Sequence, residues 1–191
     1  MRKVLILFAH PKFEHSEVNQ ALINSIKNLE NIEIRDLYEL YPDFNISIQE
    51  EQEALFQAEV IIWHHPIYWY SSPPLLKQWI DLVLEFGWAY GPGGIYLKGK
   101  YILNAITTGG SDQAYSSEGR NQYPIENYLL PFKQTAKLCL MNYLAPFHVA
   151  GTHKMGHEDL QKQAALYKGF VLKLRDEEQI DSLTRPKNSK L

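Results

Sequence analysis

With 191 residues and a formal charge of −3 at neutral pH, the chain is long enough to bury a full core unaided, and its scattered basic residues make no electrostatic case for nucleic acid. Its one cysteine, Cys139, cannot close an internal disulfide, which points to a reducing compartment. Met1-Arg2-Lys3 has the charge of a leader, but the apolar run behind it is short and His10-Pro11 stands where small residues would be needed. No run reaches membrane-spanning length. A cytoplasmic protein is expected, with one domain over residues 1–180 and an exposed tail over 181–191.

Residues 3–9, KVLILFA, form an unbroken aliphatic run, the pattern of a central parallel strand buried on both faces. A loop from His10 follows, then Val18, Leu22, Ile26 and Leu29 at helical spacing. Ser16 fits the N-cap and Glu17, Val18 and Asn19 the first turn. Such a junction offers free N–H groups and the positive end of a helix dipole, which suits a phosphate. An ordinary cap would look the same, and the absence of G-x-G-x-x-G disfavours a Rossmann dinucleotide site.

Residues 32–37 alternate like an edge strand, and Ser47 to Glu50 has the capping-box spacing that opens a helix reaching about Ala58. Residues 59–62 read as a short buried strand, after which Pro66, Ile67, Tyr68, Trp69 and Tyr70 lead to Pro73-Pro74 and a helix through Leu84. Prolines on both sides stiffen the aromatic segment, and a stiff aromatic loop at a strand's carboxyl end suits a flat ligand. His64 and His65 lack a Cys or acidic frame, so packing and hydrogen bonding near the sheet end are expected of them, and no metal site is expected.

The stretch 94–100, GIYLKGK, imitates part of a P-loop, but Tyr101 occupies the Ser/Thr place and a strand-like run to Thr107 follows where a helix is required. That fourth strand ends in Thr107, Thr108, Gly109 and Gly110, where two glycines let backbone approach a ligand. A plain turn would carry the same residues. The loop continues past Tyr115 to Asn121. Helical spacing resumes after Pro124 with Ile125, Tyr128, Leu129 and Phe132; residues 146–150 suggest a fifth strand and 158–175 a last amphipathic helix. His153 and His157 read as loop histidines.

Three strand-end loops thus suit one ligand: a phosphate-type helix start, a rigid aromatic loop and a Gly-Gly loop. Together with Leu40 to Ile46, Gln52-Glu53-Ala54-Leu55, Pro73 to Lys77 and Gly87 to Gly91, these segments resemble the flavodoxin-like NAD(P)H:quinone oxidoreductase family. Within it the chain looks most like the ancillary flavoproteins of glutathione-gated potassium-efflux systems. The resemblance implies a doubly wound sheet of five parallel strands in the order 2-1-3-4-5, with helices on both faces. It implies FMN rather than FAD, NAD(P)H as electron donor, a quinone as acceptor and ping-pong hydride transfer. His10, Ser16, Glu17, Val18 and Asn19 would hold the ribityl phosphate end. Ile67, Tyr68, Trp69, Tyr70, Thr107, Thr108, Gly109 and Gly110 would frame the isoalloxazine. Trp88 and Tyr90 would close the substrate slot across a homodimer, and Tyr115 would be the catalytic side chain. Asn121 stands where relatives carry a histidine, so a proton relay ending in imidazole is not expected. A potassium-efflux transporter would be a further partner, placing the protein at the inner membrane.

Overall fold

Along Val4–Phe8 (β1), Val4, Ile6 and Phe8 face one core and Leu5 and Leu7 the other, the period-two alternation of a strand covered on both sides. The computed structural model describes residues 1–180, so the expected tail over 181–191 lies outside the described residues. Glu17–Ile26 (α1) follows, then Ile32–Asp36 (β2), Leu37–Leu40 (α2) and Ile48–Gln57 (α3). Next come Val60–Pro66 (β3), Pro74–Val83 (α4), Tyr101–Thr107 (β4), Ile125–Tyr128 (α5) and Leu130–Leu138 (α6). Asn142–Tyr143 (β5), Phe147–Val149 (β6) and His157–Asp176 (α7) complete the described chain.

Among the described residues the strands of the sheet all pair in parallel, in the order β2-β1-β3-β4-β5, with β6 also on β4. The doubly wound order expected from the sequence is therefore present. Helices α1 and α7 pack on one face through Leu22, Ile26, Phe170 and Val171. On the other face α3, α4 and α6 bury Leu55, Leu76, Trp79 and Phe132. At the β2 edge the fully buried Glu51 accepts from Tyr41 Oη at 2.6 Å, Trp79 Nε1 at 2.7 Å and Arg35 at 2.6 and 2.8 Å. Removing one partner of such a buried pair costs on the order of 3–5 kcal/mol, because the other charge is left uncompensated.

Four local expectations change. Strand β3 does not stop at Ile62 but runs buried through Trp63, His64, His65 and Pro66, because the ring nitrogens of both histidines find partners inside the protein. The strand expected over 146–150 is present as β6, but a two-residue strand, β5, precedes it on the same neighbour: Leu144 N still donates to Ile102 O at 2.8 Å, Pro146 has no N–H for the ladder, and pairing resumes at Phe147. Ser16 and Ser47 occupy N-cap positions without side-chain capping bonds. Pro131 similarly breaks the helical run after Pro124 into α5 and α6. The short α2 has no periodic signal in the sequence; Asp36 holds it by accepting from Tyr38 N and Glu39 N. Cys139 is buried just after α6. Among the described residues no helix is long and apolar enough to cross a membrane.

Candidate functional site

Because the strands are parallel, the segments leaving β1, β3, β4 and β6 all emerge at one end of the sheet. They enclose a cleft of about 400 Å³, within the range of small-molecule sites. His10, Ser16, Glu17, Val18 and Asn19 come from the β1 side, Ile67 and Tyr68 from β3, Thr107 and Gly109 from β4, and Thr152, His153 and Met155 from β6.

At the β1 side, the backbone N–H groups of Glu17, Val18 and Asn19 have no partner among the described residues. Ser16 does not cap them because its hydroxyl is engaged elsewhere: Asn19 Nδ2 donates to Ser16 Oγ at 2.8 Å and to Thr107 Oγ1 at 3.2 Å. Asn19 is buried and joins two of the cleft's walls. His10 Nδ1 accepts from Lys12 N at 3.2 Å, leaving Nε2 as the donor of a neutral ring. Burial lowers the His10 pKa, partly opposed by Glu14. Lys12 adds positive charge to this rim, and His15 stands beside it.

The aromatic segment forms a two-residue turn, Tyr68 N donating to Ser71 O at 2.9 Å and Ser71 N to Tyr68 O at 3.0 Å. Trp69 and Tyr70 at its tip have φ of 47° and 64°. Left-handed backbone at both central positions is the type I′ arrangement, which favours Asn-Gly; a Trp-Tyr pair holds it at a cost of about 1–2 kcal/mol per residue. Trp69 is 94% exposed. Tyr70 stacks on Tyr128 with ring centroids 5.3 Å apart, and His10 meets the edge of Tyr68 at 6.0 Å.

Opposite this turn, a Cβ on Gly109 would lie 2.3 Å from His153 Nε2, so glycine gives the His153 ring its place beside the strand end. Thr108 Oγ1 donates to Gly110 O at 2.9 Å and lies 2.9 Å from His148 Nε2. His148 Nδ1 is 3.3 Å from the Asp112 carboxylate, outside hydrogen-bond geometry. Tyr115 sits edge-on to His148 at 6.1 Å and to Tyr128 at 5.8 Å. With Ile67, Trp69, Tyr70, Arg120 and Asn121 it lines a second, smaller cleft of about 170 Å³ that shares Ile67 with the first. Burial, with Tyr70 and Tyr128 nearby, raises the Tyr115 phenol above its ordinary pKa.

A family model described as flavodoxin-like fold matches residues 2–170. The chain belongs to the flavodoxin-like family. Three solved structures give the range of likeness. One, named a thermophilic tryptophan halogenase from S. violaceusniger, is 40% identical with TM-score 0.86, covering 88% of this chain and 98% of that one. The general stress protein 14 of Treponema denticola, in complex with FMN, is 33% identical with TM-score 0.87 over 91% of this chain and 99% of that one. An NADPH-quinone reductase from P. pentosaceus is 28% identical with TM-score 0.81 over 88% and 96%. Each name speaks for its own protein.

The flavodoxin-like sheet thus gathers the anticipated His10, Ser16 to Asn19, Ile67, Tyr68, Thr107 and Gly109 at one cleft, and Trp69, Tyr70 and Tyr115 at its neighbour. Thr108 and Gly110 lie in the connecting segment. Trp88 and Tyr90 stand apart from both clefts: Trp88 stacks on Tyr96 at 5.6 Å and Tyr90 meets Phe86 at 5.7 Å. Sequence pattern does not single out Lys12, His15, Thr152, His153 or His148 for the site. His153 reads as a loop histidine there, because its distance in sequence from Gly109 hides the contact between them. The imidazole nearest Tyr115 by ring contact, His148, comes from β6 and meets it only edge-on.

Proposed function

We propose that the protein is an FMN-dependent NAD(P)H:quinone oxidoreductase. The observation that carries this reading is the polarity of the site: unpaired N–H groups at the start of α1 lie at one end and the exposed Trp69-Tyr70 turn at the other, with the Gly109-Gly110 segment between strand ends. The residues fit the group. Ser16, Asn19 and the first N–H groups of α1 would hold the phosphate, with Lys12 balancing its charge. When bound, FMN supplies the hydride chemistry, taking two electrons from a nicotinamide and passing them to a quinone.

The chain's own residues bind and orient. Trp69 and Tyr70 present flat surface to a ring, and the Gly109 and Gly110 N–H groups, unpaired among the described residues, would donate to a polar ring edge where negative charge develops. Tyr115, its phenol above the ordinary pKa, would donate a hydrogen bond to a bound ring but is a poor proton source at neutral pH. One slot beside Trp69 serves donor and acceptor in turn, giving ping-pong kinetics. A second copy of the chain would cover the exposed Phe86 and Ile95 around the Trp88-Tyr90 loop, making a homodimer. Docking on a potassium-efflux transporter rests on the resemblance alone and would be tested by co-purification.

Purified protein should be yellow, and acid should release FMN identified by chromatography. Initial rates with NAD(P)H and a benzoquinone should give parallel double-reciprocal lines. Colourless protein that cannot be reconstituted with flavin would remove the reading, and FAD as the sole released flavin would remove the FMN assignment.

A further inference from the structure

We infer that His64 and Tyr167, both inside the core and outside the cleft lining, are positioning residues that set the direction in which the Ser16 and Thr107 hydroxyls donate. The inference rests on the proposed FMN site and deepens it. Tyr167 on α7 and His64 on β3 are completely buried. Tyr167 Oη lies 2.9 Å from His64 Nδ1, and His64 Nε2 lies 3.0 Å from Asn19 Oδ1. Asn19 Nδ2 then reaches Ser16 Oγ at 2.8 Å and Thr107 Oγ1 at 3.2 Å.

The direction of this chain is decided at its buried end. Among the described residues the Tyr167 hydroxyl has no hydrogen-bond partner but His64 Nδ1, and a buried O–H left unpaired is costly. The phenol therefore donates and Nδ1 accepts. A neutral imidazole then carries its proton on Nε2 and donates to Asn19 Oδ1. That turns both N–H groups of the Asn19 amide toward the two hydroxyl oxygens. Each hydroxyl accepts from Asn19, and its own proton, without another acceptor among the described residues, is free for the cleft. With the amide reversed, its carbonyl would draw both hydroxyl protons inward, and the cleft would offer lone pairs to an anion. The core thus selects a donor face, suited to phosphate oxygens.

Charge states agree. Burial, with His65 and His10 nearby, pushes the His64 pKa down to about 3, and burial pushes the Tyr167 phenol well above its usual value. The rings of Phe8 and Tyr167 meet the His64 ring edge-on, each at 5.2 Å. His64 stays neutral and Tyr167 keeps its proton wherever the protein is folded.

Two measurements test this. In the FMN-loaded protein, long-range ¹H–¹⁵N NMR should show His64 protonated on Nε2 only, unchanged from about pH 8 to about pH 5.5. An Nδ1–H tautomer or an imidazolium in that interval would overturn the inference, and this needs no variant. Second, FMN and riboflavin are titrated into the deflavinated protein, with flavin fluorescence as readout. Tyr167→Phe should weaken FMN by about tenfold while riboflavin binding hardly changes. His64→Phe should do the same, and His64→Gln, whose side-chain amide can still donate to Asn19, should recover much of the loss. Equal weakening of both flavins, or an unchanged preference for FMN, would leave His64 and Tyr167 as packing residues only. Wild-type protein that binds FMN no better than riboflavin would instead remove the phosphate site proposed above. Should a variant fail to fold, the tautomer measurement decides.

Discussion

At the α1 end of the cleft the polar side chains are buried and committed: Asn19 is 2% exposed, His64 lies behind it, and the hydroxyls it holds are aimed before any ligand arrives. At the aromatic end Trp69 is 94% exposed on a left-handed turn and no ring among the described residues covers it. The contrast reflects the two kinds of group to be held. An anionic group needs donors oriented in advance, because reorienting buried dipoles on binding would consume the affinity. A flat ring exchanged for others during turnover needs a surface that accepts several partners.

Acid should strain the committed end most. Burial pushes His64 and His65 down to about 3 and about 4, from a usual 6.5. Below 6.5 the unfolded histidines bind protons that the folded ones refuse, so stability rises with pH in that window and is lost as pH falls. Between pH 6.5 and pH 5 the two together should remove about 3 kcal/mol, because each unfolded imidazole is only half protonated at the start of the interval and reaches the full slope of about 1.4 kcal/mol per unit below it. Urea unfolding across that interval measures it; a flat profile would mean that these imidazoles are charged or hydrated in the fold.

The adaptable end should answer in affinity. Trp69→Ala should weaken FMN by the worth of ring stacking, about 1–3 kcal/mol, with near-normal folding stability because the side chain is already in solvent. Equal losses in stability and affinity would show that the turn is part of the core. Trp69→Gly separates the two further, since glycine tolerates the positive φ and should raise stability by about 1 kcal/mol in thermal melts while affinity falls. The smallest effect is assigned to Tyr115→Phe, a few-fold slower flavin reoxidation in stopped flow with unchanged flavin content. Abolished reoxidation with intact flavin reduction would make Tyr115 an essential acid.

Much of the scaffold is legible in the sequence because its strands are aliphatic runs, and the P-loop imitation fails because Tyr101–Thr107, directly after it, is a strand and not a helix. Legibility ends where polarity misleads. His64 and His65 read as packing and hydrogen-bonding residues near the sheet end, as they are, but the sequence does not reveal that β3 runs through them or that Tyr167, Asn19 and Asn104, all distant in sequence, are their partners. The strand after Pro146 is visible in the sequence, but the pairing of Asn142–Tyr143 before it is not. At the site, local patterns mark the three loops that carry their own turn and aromatic residues. They miss the β6 side, where His148 and His153 gain meaning only from contacts with Thr108 and Gly109.

The position of Cys139 bears on endurance. Quinones are electrophiles that add thiolates, so a reductase handling them risks alkylation by its own substrate. Cys139, the chain's one thiol, is 1% exposed, and burial pushes its pKa up to about 11. It is both shielded and almost wholly protonated at neutral pH, and the thiolate is the reactive form. Incubation with excess quinone should therefore add no covalent mass to the folded protein, whereas the unfolded chain should gain one adduct.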